Sequence, residues 1–158
     1  MDNGTQIERF ASNIVVKSYS FFLLLIILLA LFACGGPDGA DGYNLAGVQH
    51  FEDGRLEEAV AAYSEAIRLD SGYTAAYYNR GQAYFTLGRP GLAVDDHTKA
   101  IELSTNDPQQ PLAYAGRAMS YTLLSQDDEA QRDMAKAIEL GFDPGLLIAT
   151  INQLKKQR

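Results

Sequence analysis

The chain of 158 residues has a single cysteine, Cys34, and no tryptophan. One cysteine excludes an intrachain disulfide and a thiolate zinc cluster, so packing must hold the fold together. Cations are also few, because 13 lysines and arginines face 20 aspartates and glutamates, which gives a net charge of −7. A chain this acidic does not neutralise phosphates, and we therefore expect no nucleic-acid partner.

The sequence also lacks the motifs that catalysis needs: Gly-x-Ser-x-Gly, a glycine-rich phosphate loop and His-Glu-x-x-His are all missing. The only side chains that titrate near neutrality are His50 and His97. Asp95 and Asp96 precede His97, but adjacent residues of a helix point about 100° apart and cannot close on one ion. We expect no enzyme activity, cofactor, metal or small-molecule substrate. An enzyme would need both histidines exposed in one cleft beside an acid.

An apolar run over residues 21–33 ends directly before the only cysteine. It fits the core of about 7 to 15 residues that signal peptides have, and it is shorter than the roughly 20 residues of a spanning helix. Leu31, Ala33 and Cys34 match a lipobox, so the segment resembles a bacterial lipoprotein signal peptide. The resemblance implies that residues 1–33 are removed and that lipidated Cys34 anchors the exported chain to the outer face of a bacterial membrane. The alternative is an uncleaved membrane anchor with an incidental cysteine.

The stretch after the cysteine is rich in glycine, with four glycines in residues 35–42. Such a composition predicts a flexible linker rather than a folded element. We therefore predict a tether over residues 34–42 and a folded domain over residues 43–158.

Three segments after residue 40 share one pattern of large, small and aromatic residues, offset by 34 and then by 37 positions. Within each segment the key residues step by four and three, which places each trio on one face of a helix. Gly54, Gly88 and Ser125 separate the two trios and predict a tight turn between two helices. The aligned positions are Tyr43, Gly47, His50, Ala59, Tyr63 and Ala66; Tyr77, Gly81, Tyr84, Ala93, His97 and Ala100; and Tyr114, Ala118, Tyr121, Ala130, Met134 and Ala137.

This helix-turn-helix pattern resembles the tetratricopeptide repeat. The resemblance implies an all-α superhelix, or solenoid, of three repeats at about 40–73, 74–107 and 111–143. Asp143 and Pro144 form a helix start, and apolar residues then recur at helical spacing. Residues 144–157 resemble the capping helix that ends such arrays, where Lys155 and Lys156 suit the helix C-terminus.

Proteins of this family bind partners on the concave face of the superhelix, so the resemblance implies a non-enzymatic scaffold for an unidentified protein or peptide in the cell envelope. The alternatives are a self-associating structural lipoprotein and packing of Phe51, Phe85 and Met119 between helices rather than in a groove. By resemblance, the groove positions are Asn44, Val48, Phe51, Tyr78, Gln82, Phe85, Leu112, Ala115, Met119 and Thr122.

One subtype within the family is not matched. Tetratricopeptide domains that grip the C-terminal carboxylates of chaperones use a clamp of lysine, arginine and asparagine. By resemblance only Asn79 corresponds to a clamp residue, whereas Val48, Leu112 and Gly116 stand at positions where polar or cationic residues are required.

Overall fold

The computed structural model describes residues 38–105 and 108–157. They belong to one of the two units into which the chain divides, Pro37–Arg158, the other being Met1–Gly36. The predicted signal peptide at 1–33, the lipidation site Cys34 and the first part of the tether lie outside the described residues. Within the described part of the chain, no helix combines the length and apolar character needed to cross a bilayer.

The described residues form seven α-helices and no strand, which confirms the all-α prediction. Three consecutive helix pairs, α1 with α2, α3 with α4 and α5 with α6, correspond to the three repeats, and α7 is the terminal helix. Because α1 contacts α3 and α3 contacts α5, these three helices line one side of the stack, which we call the inner face. The helices are α1 (Gly39–Glu52), α2 (Leu56–Leu69), α3 (Thr74–Thr86), α4 (Pro90–Leu103), α5 (Gln110–Leu123), α6 (Asp127–Glu139) and α7 (Pro144–Lys155).

The turn within each pair contains one residue with a positive φ: Gly54 at 75°, Gly88 at 69° and Ser125 at 60°. The N–H of each donates to the carbonyl three residues earlier at 3.0–3.1 Å, and the next N–H donates to the carbonyl five residues earlier at 2.9 Å. This is a Schellman motif, and it confirms the predicted turns. Glycine adopts a positive φ without strain, whereas Ser125 does so at a cost of about 1 kcal/mol.

Glycines on the inner helices make room for rings on the second helices. A Cβ atom on Gly47 would lie 2.5 Å from the ring of Tyr63, and one on Gly81 would lie 2.9 Å from the ring of His97. A third glycine, Gly116 of α5, approaches His97 from the next repeat, where a Cβ would lie 2.6 Å from Nε2. The small residues therefore allow close helix contact within repeats, as expected, and also between the second and third repeats.

Replacing Gly116 with alanine should destabilise the fold by about 1–3 kcal/mol, because overpacking at the His97 ring outweighs a gain in helix propensity of about 1 kcal/mol. Gly91 of α4 is the matched control, since its Cβ would meet nothing within 4 Å. Gly91→Ala should leave stability unchanged or raise it. Urea unfolding of both variants measures the difference, and equal midpoints would contradict the proposed close contact.

Helix α1 begins at Gly39, within the predicted tether, so residues 39–42 form its first turn rather than a flexible linker. Asp41 lies in that first turn, where a carboxylate interacts favourably with the helix dipole. Gly42 is half-buried in the stack. Packing and the dipole therefore outweigh the low helix propensity of glycine at this end.

Helix α7 starts as predicted, since the Asp143 carboxylate accepts a 2.6 Å hydrogen bond from the N–H of Leu146 and Pro144 occupies the first turn. Its Leu147 and Ile151 side chains are buried in one cluster with Ala115, Ala118 and Ala137. The helix packs against α5. Between α6 and α7 a cleft of about 190 Å³ remains, lined by Asp127, Ala130, Gln131, Met134, Ile148, Ile151, Asn152 and Lys155.

Candidate functional site

The inner face of the first two repeats is a strip of half-buried aromatic, aliphatic and amide side chains. The Gln82 amide Nε2–H donates to the Tyr78 hydroxyl at 3.3 Å, which joins two of them. Burial raises the pKa of Tyr78, so its hydroxyl stays neutral and able to donate a hydrogen bond. Val48 and Phe51 pack partly against a core of Ala59, Tyr63 and Ala83 while keeping part of their surface exposed. The half-buried strip residues are Asn44, Val48, Phe51, Tyr78, Gln82 and Phe85.

The third repeat does not continue this strip. Ala115 is 1% exposed and Thr122 is fully buried, so neither lines an open groove, contrary to expectation. Ala115 is buried because Leu147 and Ile151 of α7 belong to the same core cluster. The Thr122 hydroxyl donates back to the carbonyl of Ala118 at 2.9 Å.

Two other groove positions of the third repeat keep some exposed surface. Met119 is partly buried against the same α7 cluster, as the alternative interpretation expected. Leu112 remains 39% exposed at the start of α5. The open part of the inner face therefore belongs to the first two repeats, with Leu112 at its edge.

The cations of the inner helices are engaged inside the stack. Arg80 of α3 donates two hydrogen bonds of 2.8 Å to the carboxylate of Asp96 on α4 and one of 2.9 Å to the Ser64 hydroxyl on α2. Its guanidinium lies between the rings of Tyr77 and Tyr84, with centroid distances of 5.8 and 5.9 Å. Bidentate pairing and ring stacking of this kind fix an arginine in one geometry.

An equivalent network recurs around Arg117 in the third repeat. Arg117 of α5 donates to both carboxylate oxygens of Asp133, at 2.6 and 2.8 Å, and to the Thr98 hydroxyl at 3.0 Å. Tyr114 and Tyr121 flank the guanidinium at 5.5 and 5.9 Å. Each network ties the two helices of one repeat to the second helix of the repeat before it.

Asn79, the one residue that matches the chaperone-type clamp, is also engaged within the stack. Its Nδ2–H donates at 3.0 Å to Oδ1 of Asn44, a predicted groove residue on α1. This hydrogen bond connects the first two repeats on the inner face. It uses one donor of Asn79, which in a clamp would point at the ligand carboxylate.

His97 is fully buried, and neither ring nitrogen has a hydrogen-bond partner. Its ring lies 5.8 Å from that of Tyr78, measured between centroids, and packs between Gly81 and Gly116. Burial, followed by the charge of Arg117, lowers the pKa of His97 to about 4, so the ring is neutral at pH 7. His97 therefore fills the core position where its repeat pattern predicts a ring, and it does not line a cleft.

The described residues contain no group of three or more His, Cys, Asp or Glu side chains arranged to hold a metal ion. Asp96, adjacent to His97 in the sequence, points away to Arg80. The condition set for an enzyme, two histidines exposed in one cleft, is not met at His97. What the arrangement offers chemically is a surface of apolar and amide groups.

Three stacked helix pairs with an apolar inner strip define a helical repeat protein. Family models confirm the class, because "TPR repeat" matches residues 47–88 and "Tetratricopeptide repeat" matches residues 74–107. The chain is therefore a tetratricopeptide repeat protein, as the repeat pattern predicted.

Known proteins are similar to part of this chain. Hsc70-interacting protein 1 of Drosophila melanogaster is 32% identical over 89 residues, which is 56% of this chain and 23% of that protein. Human tetratricopeptide repeat protein 36 is 34% identical over 99 residues, or 62% of this chain and 52% of that one. The chain thus spans about half or less of the length of these relatives.

Among solved structures, the second tetratricopeptide domain of human RPAP3, in complex with the HSP70 peptide SGPTIEEVD, superposes with a TM-score of 0.64. It is 25% identical, and the match covers 74% of this chain and 98% of that domain. The likeness supports the superhelical arrangement of the described helices.

Proposed function

We propose that this chain is a non-enzymatic protein-interaction scaffold that binds a peptide segment of a partner protein on the inner face of its first two repeats. The main support for this proposal is that Tyr78, Phe85 and the neighbouring strip residues are partly exposed on this face. Tetratricopeptide domains such as that of human RPAP3 hold peptides, which supports the same use of this fold. Apolar anchors on an extended or helical segment would match such a strip.

The chemistry of the partner should differ from that of the acidic peptide in the RPAP3 complex. In the described helices α1, α3 and α5, the only lysines or arginines are Arg80 and Arg117, and each is already paired with an aspartate inside the stack. A carboxylate placed on this face would meet no available cation. The unfavourable free energy of its desolvation would therefore not be compensated by an ion pair. We therefore propose a partner segment with apolar side chains and no acidic tail.

Substituting the strip tests this proposal. Tyr78→Ala combined with Phe85→Ala should abolish the capture of one partner in a crosslinking and mass-spectrometry experiment in cells. The reason is that both rings belong to the partly exposed strip on α3. Leu69→Ala combined with Leu92→Ala is the matched control, since each of these leucines is 46% exposed and neither lies on an inner helix.

Circular dichroism must show that both double variants remain helical. Equal recovery of every partner from the two variants would contradict the proposed strip. A synthetic peptide with a terminal Glu-Glu-Val-Asp sequence, added to the purified protein, should show no saturable binding below about 1 mM, an affinity limit of about 4 kcal/mol. Tight binding of that peptide would contradict the proposed partner chemistry while leaving a binding role intact.

We further propose that the scaffold is exported and anchored to the outer face of a bacterial membrane through a lipid on Cys34. The support comes from the sequence: an apolar run of signal-peptide length that ends in Leu31, Ala33 and Cys34. Two or more acyl chains on one residue hold a protein stably, whereas one chain does not. The partner would then belong to the cell envelope.

Cys34→Ser should abolish lipid incorporation and leave the leader uncut, because the thiol is the acceptor for the lipid. Radiolabelled palmitate incorporation and a shift to larger apparent mass measure the two effects. Cys34→Ala serves as a second variant that also lacks the thiol. If mature protein of unchanged size still appears on the membrane, the lipoprotein proposal is wrong, and an unchanged uncut size in both forms would favour the uncleaved anchor.

A further inference from the structure

The inner helices carry two acids and no cation that is free to pair with them. Helices α1, α3 and α5 contain Asp41 and Glu52 as their only carboxylates, both on α1, and each of the two is exposed. Among the described residues neither acid forms an ion pair. Arg80 and Arg117, by contrast, are each paired with an aspartate. The charge left unpaired on the inner helices is therefore negative, and it belongs to the first repeat.

Asp41 lies at one end of the strip, on the side of α1 that faces α3. Tyr73, the residue before α3, interacts with it, because burial, followed by a hydrogen bond to the Asp41 carboxylate, raises the pKa of Tyr73. Asn44 follows three residues later on the same side of α1 and accepts a hydrogen bond of 3.0 Å from Asn79 of α3. An ionised carboxylate has about four acceptor positions, so Asp41 can accept further hydrogen bonds beside the strip.

Glu52 is the last residue of α1 and lies about 16 Å from Asp41 along the helix axis. A single cation cannot pair closely with both acids at that distance. The charge of Glu52 acts in the core of the first repeat, where burial, followed by this charge, raises the pKa of Tyr63 to about 12. Of the two acids, Asp41 is the one that interacts with the residue before α3, where the second-repeat half of the strip begins.

The strip itself also has an acceptor without a donor. The Oε1 atom of Gln82 is buried and has no hydrogen-bond partner among the described residues, while Nε2 of the same amide donates to Tyr78. The last torsion of a glutamine side chain is broad, so this oxygen can turn toward a ligand. Lysine and arginine side chains are pure donors, whereas an ionised carboxylate is a pure acceptor. The unfilled acceptor and the unpaired carboxylate therefore favour the same kind of ligand, one that supplies N–H groups.

We propose, on the basis of the peptide binding proposed above, that the partner segment carries a lysine or arginine side chain that pairs with the Asp41 carboxylate. Its apolar side chains then lie on Tyr78 and Phe85, so the cation is directed toward the first repeat and fixes the direction of the segment. Because Asp41 is exposed, the pair raises the affinity by only about two- to fivefold. Its larger effect is on the orientation and choice of partner.

Selection from a phage-displayed library of random short peptides tests this pairing. The full chain, purified in detergent, is the bait, and the most enriched sequence is synthesised as the probe. We expect the enriched peptides to combine apolar residues with at least one lysine or arginine. Asp41→Lys should then weaken the binding of the probe by roughly tenfold or more, because two cations would face each other. Isothermal titration calorimetry measures the dissociation constants.

Glu58→Lys is the matched control. Glu58 is also an exposed acid in the first turn of a helix of the first repeat, but that helix is α2 rather than an inner helix. Both variants change the net charge equally and place a cation at a helix N-terminus, so they share any general loss of helix stability. Glu58→Lys should change the affinity for the probe by less than about twofold at physiological salt.

A probe in which glutamate replaces the lysine or arginine completes the test, since it should bind Asp41→Lys more tightly than it binds the unsubstituted chain. Equal affinities of Asp41→Lys and Glu58→Lys for the original probe would overturn the proposal, and so would enriched peptides that contain no cation. In both cases loss of the probe from the Tyr78→Ala and Phe85→Ala variant would leave peptide binding intact. Retention of the probe by that variant, or no enrichment at all, would contradict peptide binding on the strip and this pairing with it.

Discussion

Asp133→Ala should destabilise the protein by about 3–5 kcal/mol, because it leaves the Arg117 guanidinium partly buried without its carboxylate. The two side chains are only 9% and 17% exposed, so water replaces the lost hydrogen bonds poorly. Arg117 would keep its 3.0 Å hydrogen bond to Thr98 and its position between two tyrosine rings. Denaturant unfolding followed by circular dichroism measures the loss.

Two comparisons separate the buried pair from a general effect of charge. Asp128→Ala, on the exposed first turn of the same helix, should cost less than about 1 kcal/mol. The double variant Arg117→Met with Asp133→Leu should regain most of the lost stability, because no unpaired charge remains. A double variant as unstable as Asp133→Ala would mean that the ion pair itself, rather than the orphaned arginine, determines the effect.

Acidification from pH 6.5 to pH 4 should remove up to about 3 kcal/mol of stability through His97 alone. In the unfolded chain this histidine titrates near 6.5, whereas burial and Arg117 lower its pKa to about 4 in the folded protein. Between these values the unfolded chain binds a proton that the folded protein excludes. The stability contribution is therefore complete above pH 6.5 and is lost as the pH falls toward 4.

His97→Phe should remove this part of the pH dependence and leave the part that other groups cause. The phenylalanine ring also has no nitrogen atoms to leave unpaired, so the variant should be more stable at pH 7. Thermal unfolding of both proteins at several pH values measures the difference in stability between them, which should increase as the pH falls from 6.5 to 4. Parallel curves would contradict this prediction, because they would mean that the pKa of His97 is the same in the folded and the unfolded chain.

Much of the fold could be predicted because it depends on local spacing. The steps of four and three between key residues located the helices, and a residue with positive φ ends the first helix of each pair at Gly54, Gly88 and Ser125. The cap at Asp143 followed from the Asp-Pro pair. The start of α1 could not be predicted in this way. A high glycine content indicates a flexible chain, and it does not reveal the packing that makes residues 39–42 helical.

The arginine networks were missed because their partners lie sixteen residues apart on different helices. In the sequence, Asp96 stands out only as an acid beside His97. A usable indication was present, since Arg80 and Asp96 recur 37 positions later as Arg117 and Asp133. The side on which α7 covers the last repeat, by contrast, depends on tertiary packing, and no pattern at Ala115 indicated that it would be buried.

The networks are not shared by all repeats, and this sets an order of local opening along the stack. The positions that correspond to Arg80 and Asp96 in the first repeat are Ala46 and Ala62, which form no ion pair. In a repeat array, stability is a sum of terms from each repeat and from each boundary between neighbours. The amides of α1 and α2 should therefore exchange with solvent through a local opening that α5 and α6 resist, and the molecule unravels from its first repeat.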